Sequence, residues 1–167
     1  MNRRSFLQST AAAGFTAASA TAAELQVPNM KFGGAEISRL ICGYNTFYGF
    51  AHFNQTYGAV MREYYTPERV CEVLRQCNSF GINAFNYYPK GRAPQDLERF
   101  QREGGKMHLI VQGMADAPAT VKALKPLAVY YHGELADKAF QNGKMDTVRE
   151  WCKQMRDLGT RVGPMDI

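Results

Sequence analysis

The sequence lacks the short motifs that mark most metal, redox and dinucleotide sites. Its four cysteines, Cys42, Cys71, Cys77 and Cys152, form no Cys-x-x-Cys pair, which argues against a zinc knuckle and a thioredoxin-type site. No Gly-x-Gly-x-x-Gly follows the first predicted strand, so a dinucleotide-binding, doubly wound sheet is not indicated. A bridge from Cys42 to Cys71 or Cys77 stays open, but buried free thiols are favoured because cysteine behaves as a small hydrophobe.

Long apolar runs and a strong charge imbalance are also missing. A spanning helix needs about 20 strongly apolar residues, and no segment provides them, so no stable membrane anchor is expected. The formal net charge of +5 falls to +3 once residues 1–23 are removed, because that segment holds Arg3 and Arg4 and no acid. A charge this small and scattered does not indicate a nucleic-acid partner.

The amino-terminal segment is predicted to be a signal peptide. Arg3-Arg4-Ser5-Phe6-Leu7 matches the twin-arginine signature, and a mildly apolar Ala-, Gly-, Ser- and Thr-rich stretch with overlapping Ala-x-Ala sites follows it. Arg3, Arg4, Phe6 and Leu7 are the expected recognition residues. We therefore expect the twin-arginine translocase and signal peptidase as partners, residues 24–167 as the mature domain, and the periplasm or the extracellular space as the location.

The mature chain alternates predicted strands and helices. Met30 to Ile37 surrounds Gly33-Gly34 like a hairpin, residues 46–65 form an aromatic-rich insertion, and Thr66-Pro67-Glu68 is a strong helix start. The predicted strands are 38–43, 82–88, 107–112, 127–132 and 161–167, and the helices between them begin near 66, 94, 116, 135 and 145.

This alternation predicts a parallel sheet with helical crossovers, and a barrel is favoured over a doubly wound sheet. A (β/α)8 (TIM) barrel usually needs about 250 residues. Residues 24–167 supply a hairpin, four βα units and the start of a fifth strand. The predicted fold is therefore α/β, a partial barrel.

Three segments resemble aldo-keto reductases. Residues 32–43, Phe-Gly-Gly-Ala-Glu-Ile-Ser-Arg-Leu-Ile-Cys-Gly, resemble the hairpin and first strand of that family, while 81–86 and 129–132 resemble its second and fourth strands. More closely, the chain is similar to exported, twin-arginine-tagged barrel proteins of this kind. The resemblance implies a TIM barrel, an NADP cofactor and an Asp, Tyr, Lys and His tetrad.

Carried onto this sequence, the tetrad is incomplete. Its His falls on His132, but its Asp position holds Asn86, its Tyr position Gly91 and its Lys position Gly113. Lysine and aspartate lower the pKa of the proton-donating tyrosine in the family, so their loss predicts no reductase chemistry for this chain as it stands. The family's cofactor loops belong to the second half of the barrel, so NADP is expected only if that half is supplied.

Ligands of such barrels meet the carboxyl ends of the strands. The candidate ligand-binding residues there are Asn45, Asn86, Tyr87, Gln112 and Glu134, with His132 as the candidate catalytic residue and Asp166 as a further one. Amides and aromatic rings favour a hydroxylated small molecule such as a sugar, with the 46–65 insertion as a lid. Packing of the barrel mouth by the same residues is the competing interpretation.

Three functions stay in competition. The chain is a binding module of unknown activity, a fragment or subunit of an NADP-dependent oxidoreductase completed by a homodimer or a C-terminal half, or a metal-dependent sugar isomerase-like barrel. The last ranks lowest because His132 and Glu134 are too few for a metal site. His108 is interpreted as structural, His52 is left unplaced in the insertion, and Trp151 is assigned to core or interface.

Overall fold

The computed structural model describes residues 25–52, 54–113 and 117–164. The predicted signal peptide, with Arg3, Arg4, Phe6 and Leu7, and the candidate Asp166 lie outside these ranges. No helix within them is long and apolar enough to cross a bilayer.

Within these ranges, six strands and seven helices follow one another. They are β1 (Asn29–Phe32), β2 (Ala35–Ser38), α1 (Asn45–Tyr48), α2 (Gln55–Tyr64), α3 (Pro67–Ser79), β3 (Ala84–Tyr87), α4 (Ala93–Arg102), β4 (His108–Gly113), α5 (Ala117–Leu124), β5 (Ala128–Tyr131), α6 (Gly133–Gln141), α7 (Met145–Asp157) and β6 (Arg161–Pro164).

Four strands form a parallel sheet in the order β3-β4-β5-β6, which is also their order in the chain. The predicted mixed α/β class with parallel pairing is confirmed. The predicted strand 38–43 is wrong in its extent, because Ser38 belongs to β2 and only Cys42 pairs with the sheet, through one parallel bridge to Phe85. Within the described part of the chain, β6 pairs with β5 alone.

Helix α3 shows how local sequence starts these elements. Thr66 is its N-cap in extended conformation, the Thr66 hydroxyl accepts from the backbone N–H of Arg69, and Pro67 occupies the first turn, where a missing N–H costs nothing. Val70 and Leu74 are buried one turn apart. The predicted helix start is confirmed.

The helices share one apolar core with one face of the sheet. Side chains alternate along a strand, and Phe85, Tyr87, Val111 and Val129 point to the same side as one another, where they join buried residues of five helices. Those helical residues are Phe47 of α1, Val70, Cys71 and Leu74 of α3, Ala93, Leu97 and Phe100 of α4, Ala117 and Val121 of α5, and Met155 of α7. The opposite face carries Asn86, Gln112 and Tyr130.

The β1–β2 hairpin lies across the amino-terminal ends of the strands. Its β2 end is held at β3, because Asn83 accepts from the Ser38 backbone N–H at 2.7 Å and donates to the Glu36 carbonyl at 3.1 Å. Its turn is held at β6, where Arg161 donates to the Gly33 carbonyl at 2.9 Å. Gly33 has φ +59°, and a Cβ there would collide with the Arg161 guanidinium. The predicted Gly-Gly hairpin is confirmed.

Candidate functional site

A cleft of about 750 Å³ opens at the carboxyl-terminal end of the sheet. Five residues chosen from the sequence line it: Asn45, Asn86, Gln112, His132 and Glu134. They come from four successive segments of the chain, and parallel pairing places the carboxyl ends of those segments at one edge. The other lining residues are Tyr44, Phe50, His52, Tyr88, Lys90, Tyr130 and Gly133.

Tyr87, the remaining candidate, lies elsewhere. Asn86 and Tyr87 are consecutive on β3, so their side chains leave opposite faces of the sheet. Tyr87 is buried in the helix-covered core, where burial and the nearby charge of Asp96 raise its pKa to about 12. Its neighbour Tyr88, which follows the strand, lines the cleft instead.

Two tyrosine–amide pairs connect different strand ends in the cleft. The Tyr44 hydroxyl donates to Oε1 of Gln112, and the Tyr130 hydroxyl donates to Oδ1 of Asn86 at 2.8 Å. Both amides use their oxygens as acceptors, and neither amide nitrogen donates to another described residue. Each pair therefore retains an N–H donor and a phenolic acceptor.

The phenols of these pairs are neutral at physiological pH. Burial raises the pKa of Tyr44, and the neighbouring Tyr130 and Tyr88 raise it further. Burial also raises the pKa of Tyr130, although its hydrogen bond with Asn86 acts in the opposite direction. Since an ordinary tyrosine titrates near pH 10, both groups stay protonated and this part of the cleft carries no charge.

His132 and Glu134 form the rim at the start of α6. The predicted strand 127–132 ends one residue earlier, since β5 ends at Tyr131; His132 is the residue before α6, and Glu134 lies in its first turn. A hydrogen bond from Lys138 lowers the pKa of the Glu134 carboxyl, which is therefore ionised. Nδ1 of His132 is buried without a hydrogen-bond partner among the residues that the structure describes.

No cluster of three or more His, Cys, Asp or Glu side chains converges as a metal site in residues 25–52, 54–113 and 117–164. The rim instead offers two side chains of opposite charge, Lys90 and Glu134. His52, which the sequence left unplaced, is a lining residue and exposed.

The side chain of Trp151 occupies the space beside Gly113. A Cβ on Gly113 would lie 2.2 Å from Cζ2 of Trp151, far inside van der Waals contact. Trp151 packs edge-on against Tyr131, with ring centroids 5.0 Å apart, and borders the core. Gly113 therefore makes room for the indole. A residue with a larger side chain does not fit at this position unless Trp151 moves.

The aromatic insertion contributes one wall of the cleft. Phe50 meets Tyr44 edge-on at 5.6 Å between centroids, and Tyr88 lies 5.9 Å from Tyr44. The predicted aromatic insertion includes Phe50, but sequence reasoning did not single out Tyr88 or Tyr44 as site residues, although the place of Tyr44 just before Asn45 is a usable signal. Phe53, also in the insertion, lies outside the described residues.

Arg92 connects the aromatic insertion 46–65 to helix α4. The Arg92 guanidinium donates to the backbone carbonyl of Tyr65, and its Nε pairs with Oδ2 of the buried Asp96 carboxylate at 3.0 Å. The aromatic wall is thus tied to α4, and through α4 to the core.

Comparison of the chain with known protein families, curated proteins and solved structures finds no match.

Proposed function

We propose that this chain is the N-terminal half of an exported (β/α)8 barrel whose carboxyl-end cleft binds a hydroxylated small molecule. The observation that carries the ligand class is the tyrosine–amide pairing of Tyr44 with Gln112 and of Tyr130 with Asn86. A sugar hydroxyl both donates and accepts, and each pair offers the complementary acceptor and donor in an uncharged setting. Phe50 and Tyr88 supply ring faces or edges for the apolar side of a sugar.

Two features of the fold support the half barrel. The parallel strands follow one another in chain order, and the five helices with residues in the core share it on one face of the sheet. This arrangement is typical of a sheet wound in a single direction, whereas a doubly wound sheet divides its helices between two faces. The hairpin beneath the amino-terminal ends of the strands agrees with the hairpin that the resemblance to aldo-keto reductases implies before the first strand.

The incomplete tetrad supports a function other than carbonyl reduction by this chain alone. Asn86 accepts a hydrogen bond from Tyr130 rather than orienting a lysine, and Trp151 occupies the space at Gly113. Tyr44 and Tyr130 have raised pKa values, which makes them weaker acids and not the activated proton donors that a reductase needs. An NADP-binding half, if supplied, adds the cofactor but not the missing lysine.

Incomplete closure predicts a partner. The outer edges of β6 and of the Cys42 segment have no pairing strand within the described ranges, and unpaired parallel edges favour association. A second copy of the chain and a separate C-terminal half both supply such strands.

For export, we expect replacement of Arg3 and Arg4 by lysine to retain the unprocessed chain inside the cell.

Ligand binding is tested by isothermal titration calorimetry of the full chain with a panel of neutral monosaccharides, disaccharides and polyols. At least one neutral sugar is expected to bind. Asn86→Ala and Gln112→Ala each remove hydrogen bonds and should weaken that binding about 5- to 10-fold. Gln101→Ala, on the exposed face of α4, is the matched control and should leave it unchanged.

The opposite pattern would refute the ligand class. If no neutral sugar or polyol binds at millimolar concentration, or if the Asn86 and Gln112 variants bind as tightly as the wild type, the amides serve only to pack the mouth of the sheet.

A further inference from the structure

A second, smaller cavity adjoins the cleft beside the aromatic insertion, and we call it the side pocket. Its volume is about 270 Å³, and Phe50 and Lys90 line both the side pocket and the cleft. A ligand that occupies the cleft can therefore extend past these two side chains. A benzene ring fits a cavity of about 150 Å³, so the side pocket has room for one ring with a substituent.

Aromatic rings form the apolar wall of the side pocket. Phe47 and Tyr48 of α1 line it together with Phe50, and the rings of Phe47 and Tyr48 meet edge-on at 6.2 Å between centroids. Phe50 is 37% exposed, so part of its ring surface stays available to a ligand. Gly91 lines the pocket with backbone alone, and apart from its chain neighbours no described residue has a heavy atom within 4 Å of where a Cβ would stand. The pocket is therefore open on that side.

Two of the three basic side chains in the lining already have partners for their charged ends. Nε of Arg92 pairs with Oδ2 of Asp96 at 3.0 Å, and Nη1 of Arg62 donates to the Gly49 carbonyl at 3.4 Å. Lys90 has no carboxylate within 4 Å in the part of the chain that the structure describes. Since the alkyl stems of such residues cover apolar surface, the lining combines rings and stems with the ammonium of Lys90 at the border with the cleft.

We propose that the side pocket holds an aromatic ring, which makes the ligand of the cleft an aryl glycoside. This inference rests on the proposed function, because the sugar part occupies the uncharged cleft. The ring wall favours edge-on contact with another aromatic ring, and the Lys90 ammonium attracts the electron-rich face of such a ring. A free anion is disfavoured, since the guanidinium groups of Arg62 and Arg92 are already engaged.

The methyl, cyclohexyl and phenyl glycosides of the sugar that binds best, each in both anomers, test the side pocket by isothermal titration calorimetry of the full chain. The phenyl glycoside should bind about 10-fold more tightly than the methyl glycoside, because the ring leaves water. It should also bind about 2- to 5-fold more tightly than the cyclohexyl glycoside, because a cation attracts an aromatic face and not a saturated ring.

Substitutions at Tyr48 test the wall of the side pocket. Tyr48→Ala should remove most of the gain of the phenyl over the methyl glycoside, whereas Tyr48→Phe keeps the ring and should retain the gain. Tyr57→Ala is the matched control, since Tyr57 is 59% exposed on α2 and does not line the pocket. Equal affinities of the phenyl and methyl glycosides, equal affinities of the phenyl and cyclohexyl glycosides, or the same loss in Tyr57→Ala as in Tyr48→Ala would each overturn the proposal. The comparison of glycosides on the wild-type chain decides this even if Tyr48→Ala fails to fold.

Phenol separates this proposal from the proposed function, because it carries no sugar. Saturation-transfer NMR should detect contact between the phenol ring and the wild-type chain, and a weaker contact with Tyr48→Ala. Contact with phenol when no glycoside binds would refute the sugar cleft and retain the aromatic site. Binding of the methyl glycoside, with no contact from phenol and no gain for the phenyl glycoside, would refute the aromatic site and retain the sugar cleft.

Discussion

Replacement of Gly113 by alanine tests the packing on which the argument against a reductase rests. The added methyl would lie 2.2 Å from Cζ2 and 2.6 Å from Cη2 of Trp151, and 3.1 Å from the Tyr130 carbonyl. The indole is large, packs on Tyr131 and borders the core, so it cannot swing away freely. Overpacking of this kind costs about 1–3 kcal/mol.

Gly163→Ala is the matched control. Gly163 lies on β6 opposite Tyr130, and apart from its chain neighbours no described residue has a heavy atom within 4 Å of its added Cβ. Both replacements remove backbone entropy from the unfolded chain, which alone stabilises by about 0.4–1 kcal/mol. The difference between the two variants therefore isolates the contact with Trp151, and we expect Gly113→Ala to be less stable than Gly163→Ala by about 1–3 kcal/mol.

Urea unfolding followed by far-ultraviolet circular dichroism is the appropriate assay, because Trp151 is the only tryptophan and fluorescence would be lost from its variants. In a Trp151→Leu background, Gly113→Ala should cost much less than in the wild type, since the obstructing ring is absent. Equal stabilities of Gly113→Ala and Gly163→Ala, or an unchanged cost in the Trp151→Leu background, would show that the site has room for a side chain.

Three further predictions concern the hairpin, alkaline pH and the cofactor. Asn83→Ala removes two hydrogen bonds to the hairpin, so amide exchange in residues 29–38 should accelerate, whereas unchanged exchange would mean that the hairpin does not depend on Asn83. Burial raises the pKa values of Tyr44, Tyr87 and Tyr130, so the folded state holds these phenolic protons more tightly than the unfolded state. The free energy of unfolding should therefore be undiminished below about pH 10 and should fall as the pH rises through the pKa values of the folded state. Unfolding experiments at a series of pH values measure this. NADP at micromolar concentration should not quench the emission of the chain, and measurable quenching would contradict the interpretation of the tetrad.

A prediction about assembly follows from the open sheet edges. Light scattering should detect dimers or larger species whose mass depends on concentration, because β6 and the Cys42 segment present unpaired backbone groups within the described part of the chain. A monomer that is independent of concentration and unfolds cooperatively would contradict it.

The sequence predicted elements best where local chemistry alone decides the backbone. Gly33-Gly34 requires positive φ and marks the hairpin, and Thr66-Pro67 supplies the cap and first turn of α3. Because the carboxyl ends of parallel strands meet at one edge of the sheet, the sequence also predicted that Asn45, Asn86 and Gln112 share one cleft. Their role in ligand binding stays a prediction.

Other features depend on contacts that no local pattern encodes. Residues 46–65 hold two helices, and the site residue Tyr44 is positioned by its partner Gln112, which lies 68 residues away. Tyr87 is different, since strict alternation after Asn86 already directs it to the opposite face. From the sequence, Gly113 shows only that the lysine implied by the resemblance is missing. The position of Trp151 in the structure shows which side chain occupies the space beside Gly113.

The hydrogen bond between Arg161 and the Gly33 carbonyl forms only after most of the chain has been synthesised, which affects how the hairpin folds. The two residues are 128 positions apart, so a growing chain exposes the hairpin long before the strand that secures its turn exists. Contacts this distant in sequence form late, because a long loop must close first. A nascent chain that stalls before residue 161 should thus carry a hairpin fastened at one end only, which a protease recognising Lys31 would cut faster than in the finished protein.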